Sequence, residues 1–139
     1  MTKSKLTAAQ VERISNALDS VPYAKLLGIR LAHIDSGTAT LKMPVRKQLT
    51  QNHGVVHGGA MASLIDSATA FAIISLLEPQ EKVTTVDLTI SYLRPVTKGT
   101  LNCAATVVRS GRRLLVVSAE VFDDSQKLVA TALSTYIKI

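Results

Sequence analysis

The sequence QNHGVVHGGAMASLIDSATAFAIISLL at residues 51–77 sets the architecture of the whole chain. Within it, residues 58–77 are apolar or small, with Asp66 as the one charged exception. Such a run predicts one long helix that is covered on every side by protein or lipid, because it has no polar face for water. An ionised carboxylate among apolar side chains costs several kcal/mol unless it is paired, hydrogen-bonded or hydrated. Asp66 is therefore a candidate functional residue.

The helix follows His57 and begins with Gly58 and Gly59. Paired glycines let a ligand approach bare backbone, and the first turn of a helix leaves about four N–H groups without partners. These groups carry roughly half a positive charge. The pattern predicts a set of donors for a carbonyl oxygen that becomes negative during a reaction.

The spacing between His57 and Asp66 indicates how many chains build the site. Asp66 follows His57 by nine residues, which is about 2.5 turns and about 13 Å along the helix axis. The two side chains then point to opposite sides, and one chain cannot bring both to one reacting atom. Two antiparallel copies of the helix would place Gly58 of one chain beside Asp66 of the other. The spacing predicts an obligate homodimer with the site between its subunits.

Composition sets further bounds. With 139 residues, 47% of them hydrophobic, the chain is expected to form one domain, residues 1–139, with an N-terminal helical extension at residues 1–24. Aromatic residues make up 4% and Trp is absent, so the core must be aliphatic. The net charge of +6 is compatible with nucleic acid, an anionic membrane or a phosphate-bearing ligand, and selects none of them. The single cysteine, Cys103, excludes an internal disulfide, and without an evident secretory signal a cytoplasmic location is expected.

The remaining pattern predicts two short helices and six strands. A capping box of Thr7 and Gln10 starts a helix at residues 7–19, and a second helical turn follows at residues 23–27. Alternating apolar and polar side chains predict strands at residues 29–33, 38–45, 83–93, 101–108, 114–122 and 128–137. Short connections make antiparallel hairpins of the first two strands and of the last three. In this α+β arrangement, an antiparallel sheet of about six strands must wrap around one long central helix.

At residues 51–59, the pattern Q-N-x-G-x-x-H-G-G, followed after six more residues by Asp66, resembles the signature of hotdog-fold acyl-CoA thioesterases, of the type that includes the phenylacetyl-CoA thioesterases. The run VDLTISYLRPV at residues 86–96 is similar to the same family, and the likeness covers residues 25–138. The resemblance implies a hotdog fold, homodimers with a continuous sheet, and often homotetramers. It also implies hydrolysis of an acyl- or aryl-CoA thioester to free acid and coenzyme A, with no cofactor.

The resemblance implies roles for individual residues. Asp66 would act as a general base on water or as a nucleophile. The N–H of Gly58 would polarise the thioester carbonyl, with His57 placed beside it. The family commonly has an amide side chain fifteen residues before the acid, where Gln51 stands next to Asn52, and either can be the functional amide.

Two further residues are expected near the substrate. Gly59 belongs to the predicted donor set, and Thr85 stands where the family often has a small hydroxyl residue on a strand. Strict alternation in that strand puts Val86 and Leu88 on one face, and Thr85 and Asp87 on the other.

Basic residues stand at strand ends and turns. Arg94 and Arg112 are candidates for binding the phosphates of coenzyme A, together with Lys98, Arg109 and Arg113, if these ends gather on one rim. A solvated basic rim without a ligand would use the same residues.

Plainer interpretations of the site residues stay open. Asp66 can be a buried structural acid, and His57 can serve only to orient the loop. Gly58 and Gly59 can allow close packing of helix on strand. Cys103 is not expected to be a nucleophile, because no histidine accompanies it in the pattern. The three histidines and one cysteine show no metal-ligand spacing, so no metal is expected.

Other functions fit parts of the sequence. The main alternative is a non-catalytic acyl-CoA-binding protein on the same fold, although no appended module is visible. Charge alone suggests nucleic-acid binding, but the chain lacks aromatic stacking platforms, so no nucleic acid is expected. A hotdog dehydratase would arrange its histidine and acid differently. Residues 58–77 have the length of a membrane span, but a central Asp66 costs about 3 kcal/mol on insertion scales, so no membrane is expected.

Overall fold

The computed structural model describes residues 5–139. The elements follow the predicted order, with two helices, two strands, one long helix and four strands. They are α1 (Ala8–Asp19), α2 (Pro22–Leu27), β1 (Arg30–Asp35), β2 (Thr38–Pro44), α3 (Gly58–Ile74), β3 (Val83–Tyr92), β4 (Thr100–Ser110), β5 (Leu114–Phe122) and β6 (Leu128–Lys138). The loop between β2 and α3 contains two 3-10 turns, Lys47–Leu49 and Asn52–Gly54.

The six strands form one antiparallel sheet in the order β1-β2-β4-β5-β6-β3. The predicted hairpins β1-β2, β4-β5 and β5-β6 are confirmed. The strand β3 pairs with β6 rather than with β4, which follows it in sequence, so β3 is an edge of the sheet. Helix α3 packs on the inner face of the sheet, where Leu64, Ile65 and Ala72 are fully buried. This is the hotdog arrangement that the resemblance implies, and the predicted α+β class is confirmed.

Helix α3 ends at Ile74, three residues earlier than predicted. The side chain of Ser75 gives the physical reason. Its hydroxyl donates to the carbonyl oxygen of Ala72 at 2.6 Å and accepts the N–H of Gly37 at 2.7 Å. Because Gly37 lies in the β1–β2 turn, these bonds tie the end of the helix to the hairpin.

Within one chain, α3 is not covered on every side, so the complete cover predicted for this helix would have to come partly from another molecule. One strip of the helix is only half-buried, and its residues recur at helical spacing: Ala62, Ser63, Asp66, Ser67 and Ala70. Every other side chain on that strip is small, so another helix could approach α3 closely there. Asp66 therefore lies on the one face of α3 that the chain itself leaves partly open.

Helix α1 begins with the predicted capping box. The N–H of Gln10 donates to Thr7 Oγ1 at 3.1 Å, and the N–H of Thr7 donates to Gln10 Oε1 at 2.7 Å. Ile14 and Leu18 are buried, and α1 packs beside β1. Residues 1–4 of the expected N-terminal extension lie outside the described residues. Within residues 5–139, no helix combines the length and apolar character that a membrane span requires.

Candidate active site

The carboxylate of Asp66 is held by two neutral hydroxyl groups. Thr85 Oγ1 donates to Asp66 Oδ1 at 3.0 Å. The hydroxyl of Tyr136 is shared between the same Oδ1, at 3.1 Å, and the main-chain oxygen of Asp66, at 2.9 Å. In the described part of the chain, the one salt bridge joins Lys138 and Glu81, so no cation pairs with Asp66 there. Within the described residues, the half-buried carboxylate is thus stabilised by hydrogen bonds from these two hydroxyls rather than by an ion pair.

A β-bulge in β3 brings Thr85 to this site. The register with β6 shifts between Thr85, which lies opposite Tyr136, and Asp87, which lies opposite Thr135. Val86 is the additional residue and is 56% exposed. Paired residues of an antiparallel ladder place their side chains on the same face, so Thr85 shares the inner face with buried Tyr136. The strict alternation predicted for this strand is wrong at Val86, because a bulge adds one residue.

Tyr136 contacts Asp66 and is a candidate site residue that sequence reasoning missed. It is 2% exposed, and burial raises its pKa to about 12, so the hydroxyl stays protonated and can donate. The buried hydroxyl of Thr69 lies 2.8 Å from it. A buried tyrosine usually needs a hydrogen-bond partner, which is the signal that the sequence offers. Naming the partner requires the β3–β6 pairing, which local sequence does not reveal.

The first turn of α3 has one backbone donor without a protein partner. His57 is the N-cap, and its Nδ1 accepts the N–H of Gly59 at 2.7 Å. The N–H groups of Ala60 and Met61 donate to the carbonyl oxygen of His57. Among residues 5–139, nothing accepts a hydrogen bond from the N–H of Gly58. Of the two glycine N–H groups in the predicted donor set, that of Gly58 is available to a ligand. The N–H of Gly59 already donates to His57 Nδ1.

The ring of Tyr92 covers Gly58. Its hydroxyl donates to the carbonyl oxygen of Gly58 at 2.8 Å. A Cβ on Gly58 would lie 3.4 Å from the Tyr92 Cζ and hydroxyl oxygen, which is ordinary contact. A cavity of about 310 Å³ opens beside this turn, and its lining includes Gln51, Met61 and Arg94. The first turn of α3 thus faces a space that a ligand could enter.

The two candidates for the functional amide lie in different places in the structure. Gln51 lines the cavity, whereas exposed Asn52 is not among its lining residues. Asn52 begins a 3-10 turn in which His53 has a positive φ of 71°. This geometry favours Gln51 as the amide beside Gly58.

One chain does not bring Gly58 and Asp66 together. The two residues lie eight positions apart in the same helix, which corresponds to about 12 Å along its axis. Gly58 faces the cavity with Gln51, while Asp66 contacts Thr85. Each chain therefore presents two separate candidate parts of a site, here called half-sites: a backbone donor at the start of α3, and a carboxylate in its middle.

The predicted basic rim does not form within one chain. Arg94 lines the cavity next to the end of β3, and Lys98 lies close by in the same connection. Arg112 lies in the β4–β5 turn, and the neighbouring Arg113 accepts the N–H of Lys138 through its carbonyl oxygen. Since Lys138 pairs with the first residue of β3, Arg94 and Arg112 lie at opposite ends of the sheet. A strand of this length spans about 30 Å.

Within residues 5–139, neither the thiol of Cys103 nor a cluster of metal-ligating side chains gives an alternative centre. Cys103 is fully buried, and burial raises its pKa to about 12, so its thiol stays neutral. This agrees with the expectation that Cys103 is not a nucleophile. Residues 5–139 contain no group of three or more His, Cys, Asp or Glu side chains placed to hold a metal ion.

Comparisons with known proteins give the family. Residues 53–130 match the thioesterase superfamily. The acyl-coenzyme A thioesterase PaaI of Escherichia coli K12 is 37% identical over 109 residues, covering 77% of this chain and 75% of that protein. The 1,4-dihydroxy-2-naphthoyl-CoA hydrolase of the same strain is 28% identical over 117 residues, covering 84% and 86% respectively.

A solved structure of the E. coli PaaI protein superimposes with a TM-score of 0.86 at 30% identity, covering 95% of both chains. The family match spans more than half of this chain, and the match to the PaaI sequence exceeds 30% identity over most of both proteins. The chain belongs to the thioesterase superfamily.

Proposed function

We propose that the protein hydrolyses an acyl- or aryl-CoA thioester to free acid and coenzyme A, at a site shared by two copies of the chain. The observation that carries this proposal is the pair of half-sites, a carboxylate held by hydroxyls and an unpaired backbone N–H. The E. coli relatives support the substrate class, because both act on coenzyme A thioesters by name.

Two features support assembly of the site between two chains. A two-fold axis that brings Gly58 to Asp66 of a second copy passes near Ala62, midway between them. Ala62 belongs to the half-buried strip of small residues on α3. The edge strand β3 also exposes apolar side chains, with Val86 at 56% and Tyr92 at 52%. An unpaired edge of this kind is a template for another strand, so pairing of two β3 strands would extend the sheet across the dimer.

The chemistry follows from the two half-sites. Asp66 either removes a proton from water or attacks the thioester carbonyl carbon directly. As the carbonyl oxygen becomes negative, the N–H of Gly58 from the other copy donates to it, an interaction worth about 3 kcal/mol. On the water route, the water oxygen bonds to the carbonyl carbon as its proton passes to Asp66; when the carbonyl re-forms, the carbon–sulfur bond breaks and the sulfur of coenzyme A takes that proton. On the carboxylate-attack route, the sulfur leaves as a thiolate and takes its proton from solvent water. On the carboxylate-attack route, a water molecule then hydrolyses the anhydride and restores Asp66.

Asp66→Asn tests this assignment. It keeps the shape of the side chain and an oxygen for Thr85 and Tyr136, but removes the base and the nucleophile. Turnover of acyl-CoA should fall by about 1,000-fold or more, with little change in thermal unfolding. The matched control is Glu120→Gln, which changes an exposed acid on β5 and should leave turnover unchanged.

The measurement is thiol release from a panel of short, long and aromatic acyl-CoAs. Wild-type rates for Asp66→Asn across the panel would contradict the catalytic assignment. Tight acyl-CoA binding by the unchanged protein, with no turnover of any panel member, would favour the non-catalytic alternative. The location in the cytoplasm and the tetramer remain predictions.

A further inference from the structure

Both side-chain donors to Asp66 converge on one of its two carboxylate oxygens. Thr85 Oγ1 lies 3.0 Å from Oδ1, and the Tyr136 hydroxyl lies 3.1 Å from the same atom. Within residues 5–139, no hydrogen bond reaches Oδ2, and no buried polar side-chain atom lacks a partner. An unpartnered Oδ2 must therefore be accessible to solvent. The two oxygens of one carboxylate thus have different surroundings, one anchored and one open.

The anchored oxygen is fixed by the sheet rather than by the helix. Thr85 and Tyr136 are direct partners in the β3–β6 ladder, so their hydroxyls approach Oδ1 from adjacent positions. The buried hydroxyl of Ser134 donates to the carbonyl oxygen of Asp87 at 2.9 Å, on the far side of the bulge. This bond holds the bulged segment against β6. The position of Thr85 is therefore set by buried contacts on both sides of Val86.

Tyr136 also links the side chain of Asp66 to its own main chain. Its hydroxyl lies 2.9 Å from the main-chain oxygen of Asp66 and 2.8 Å from Thr69 Oγ1. Thr69 Oγ1 in turn lies 3.0 Å from the main-chain oxygens of Ile65 and Asp66. Because Thr69 and Tyr136 are both buried, water does not compete strongly for these bonds. The network restricts rotation of the carboxylate about its bond to the helix.

We propose that Tyr136 is a positioning residue, which with Thr85 anchors Oδ1 of Asp66 so that Oδ2 is the oxygen that reacts. This inference rests on the proposed function of Asp66. The anchor fixes the direction of the open oxygen before substrate arrives, and correct orientation of a reacting group can contribute a large share of a rate. Tyr136 acts through Asp66 and does not touch the substrate.

Tyr136→Phe tests the inference by removing one oxygen and keeping the ring. We expect kcat to fall by about 10- to 100-fold with KM nearly unchanged, since the substrate-binding surface is intact. Thr85 offers a matched pair: Thr85→Val removes the donor and should lower kcat, whereas Thr85→Ser keeps the hydroxyl and should lower kcat much less. Cys103→Ala, which removes a buried sulfur from β4, controls for a general loss of core packing. Thermal unfolding of each variant separates misfolding from loss of position.

The double variant Thr85→Val with Tyr136→Phe tests whether the two hydroxyls act together on the same oxygen of Asp66. Either donor alone still restrains the carboxylate, so the double variant should lose more activity than the product of the two single effects. A wild-type kcat for folded Tyr136→Phe, or two effects that simply multiply, would overturn the inference. If Asp66→Asn is inactive while Tyr136→Phe is fully active, positioning fails and the proposed function stands. If Asp66→Asn is fully active, both fail together.

Discussion

The two half-sites differ in how the chain builds them. At the start of α3, His57, Gly58 and Gly59 are consecutive. The N-cap hydrogen bond joins His57 to Gly59, two residues later, and leaves the N–H of Gly58 unpaired among the described residues. Around Asp66, the donors Thr85 and Tyr136 come from 19 and 70 residues further along the chain. The backbone donor is thus a product of local sequence, whereas the carboxylate depends on strand pairing and a bulge. This difference determines which substitutions isolate chemistry from folding.

The local half-site allows the cleanest test, because its donor can be deleted without disturbing the sheet. Gly58 is the first residue of α3, a position where proline is well tolerated and its missing N–H disrupts no helical bond. Gly58→Pro should lower kcat by about 100- to 1,000-fold. Gly58→Ala is the matched control, since it keeps the N–H and its added carbon makes only ordinary contact with Tyr92. Stopped-flow or steady-state thiol release distinguishes them.

Equal activity of the folded Gly58→Pro and Gly58→Ala variants would contradict the role of the N–H. It would leave the glycine pair with a packing role only. In that case, the carboxylate of Asp66 would be the one catalytic group left of the two half-sites.

The sequence predicts the local part of the candidate site better than the part that depends on strand pairing. The apolar run, the glycine pair, His57 and Asp66 lie within residues 51–77, so spacing along one helix was sufficient to predict them. Strict alternation predicts the wrong face of β3 for Thr85, because one extra residue in a bulge reverses the pattern. Tyr136 was missed because its importance appears only once β6 pairs with β3. Local rules identify a carboxylate, but tertiary structure decides which groups hold it.

A second prediction concerns mixed dimers, in which two inactive variants each supply the half-site that the other lacks. Asp66→Asn retains Gly58, and Gly58→Pro retains Asp66, so a mixed dimer contains one complete site and one doubly defective site. With random assortment, about half of the dimers are mixed and activity should recover to about a quarter of wild type. The measurement is thiol release after co-expression of the two chains with different tags. Activity of the mixture no higher than the mean of the separate variants would mean that one chain builds the whole site.

The smallest expected effect concerns the amide that the sequence left ambiguous. Gln51 lines the cavity beside Gly58, and Asn52 stands outside it in an exposed turn. Gln51→Ala should therefore lower kcat/KM by about 10-fold, the cost of losing a hydrogen bond of about 1.4 kcal/mol. Asn52→Ala serves as the neighbouring control and should change kcat/KM by less than about twofold. A larger loss of kcat/KM in Asn52→Ala than in Gln51→Ala would reverse the assignment. It would mean that the loop carrying both residues rearranges when substrate binds. The half-site at the start of α3 would then be complete only in the presence of substrate.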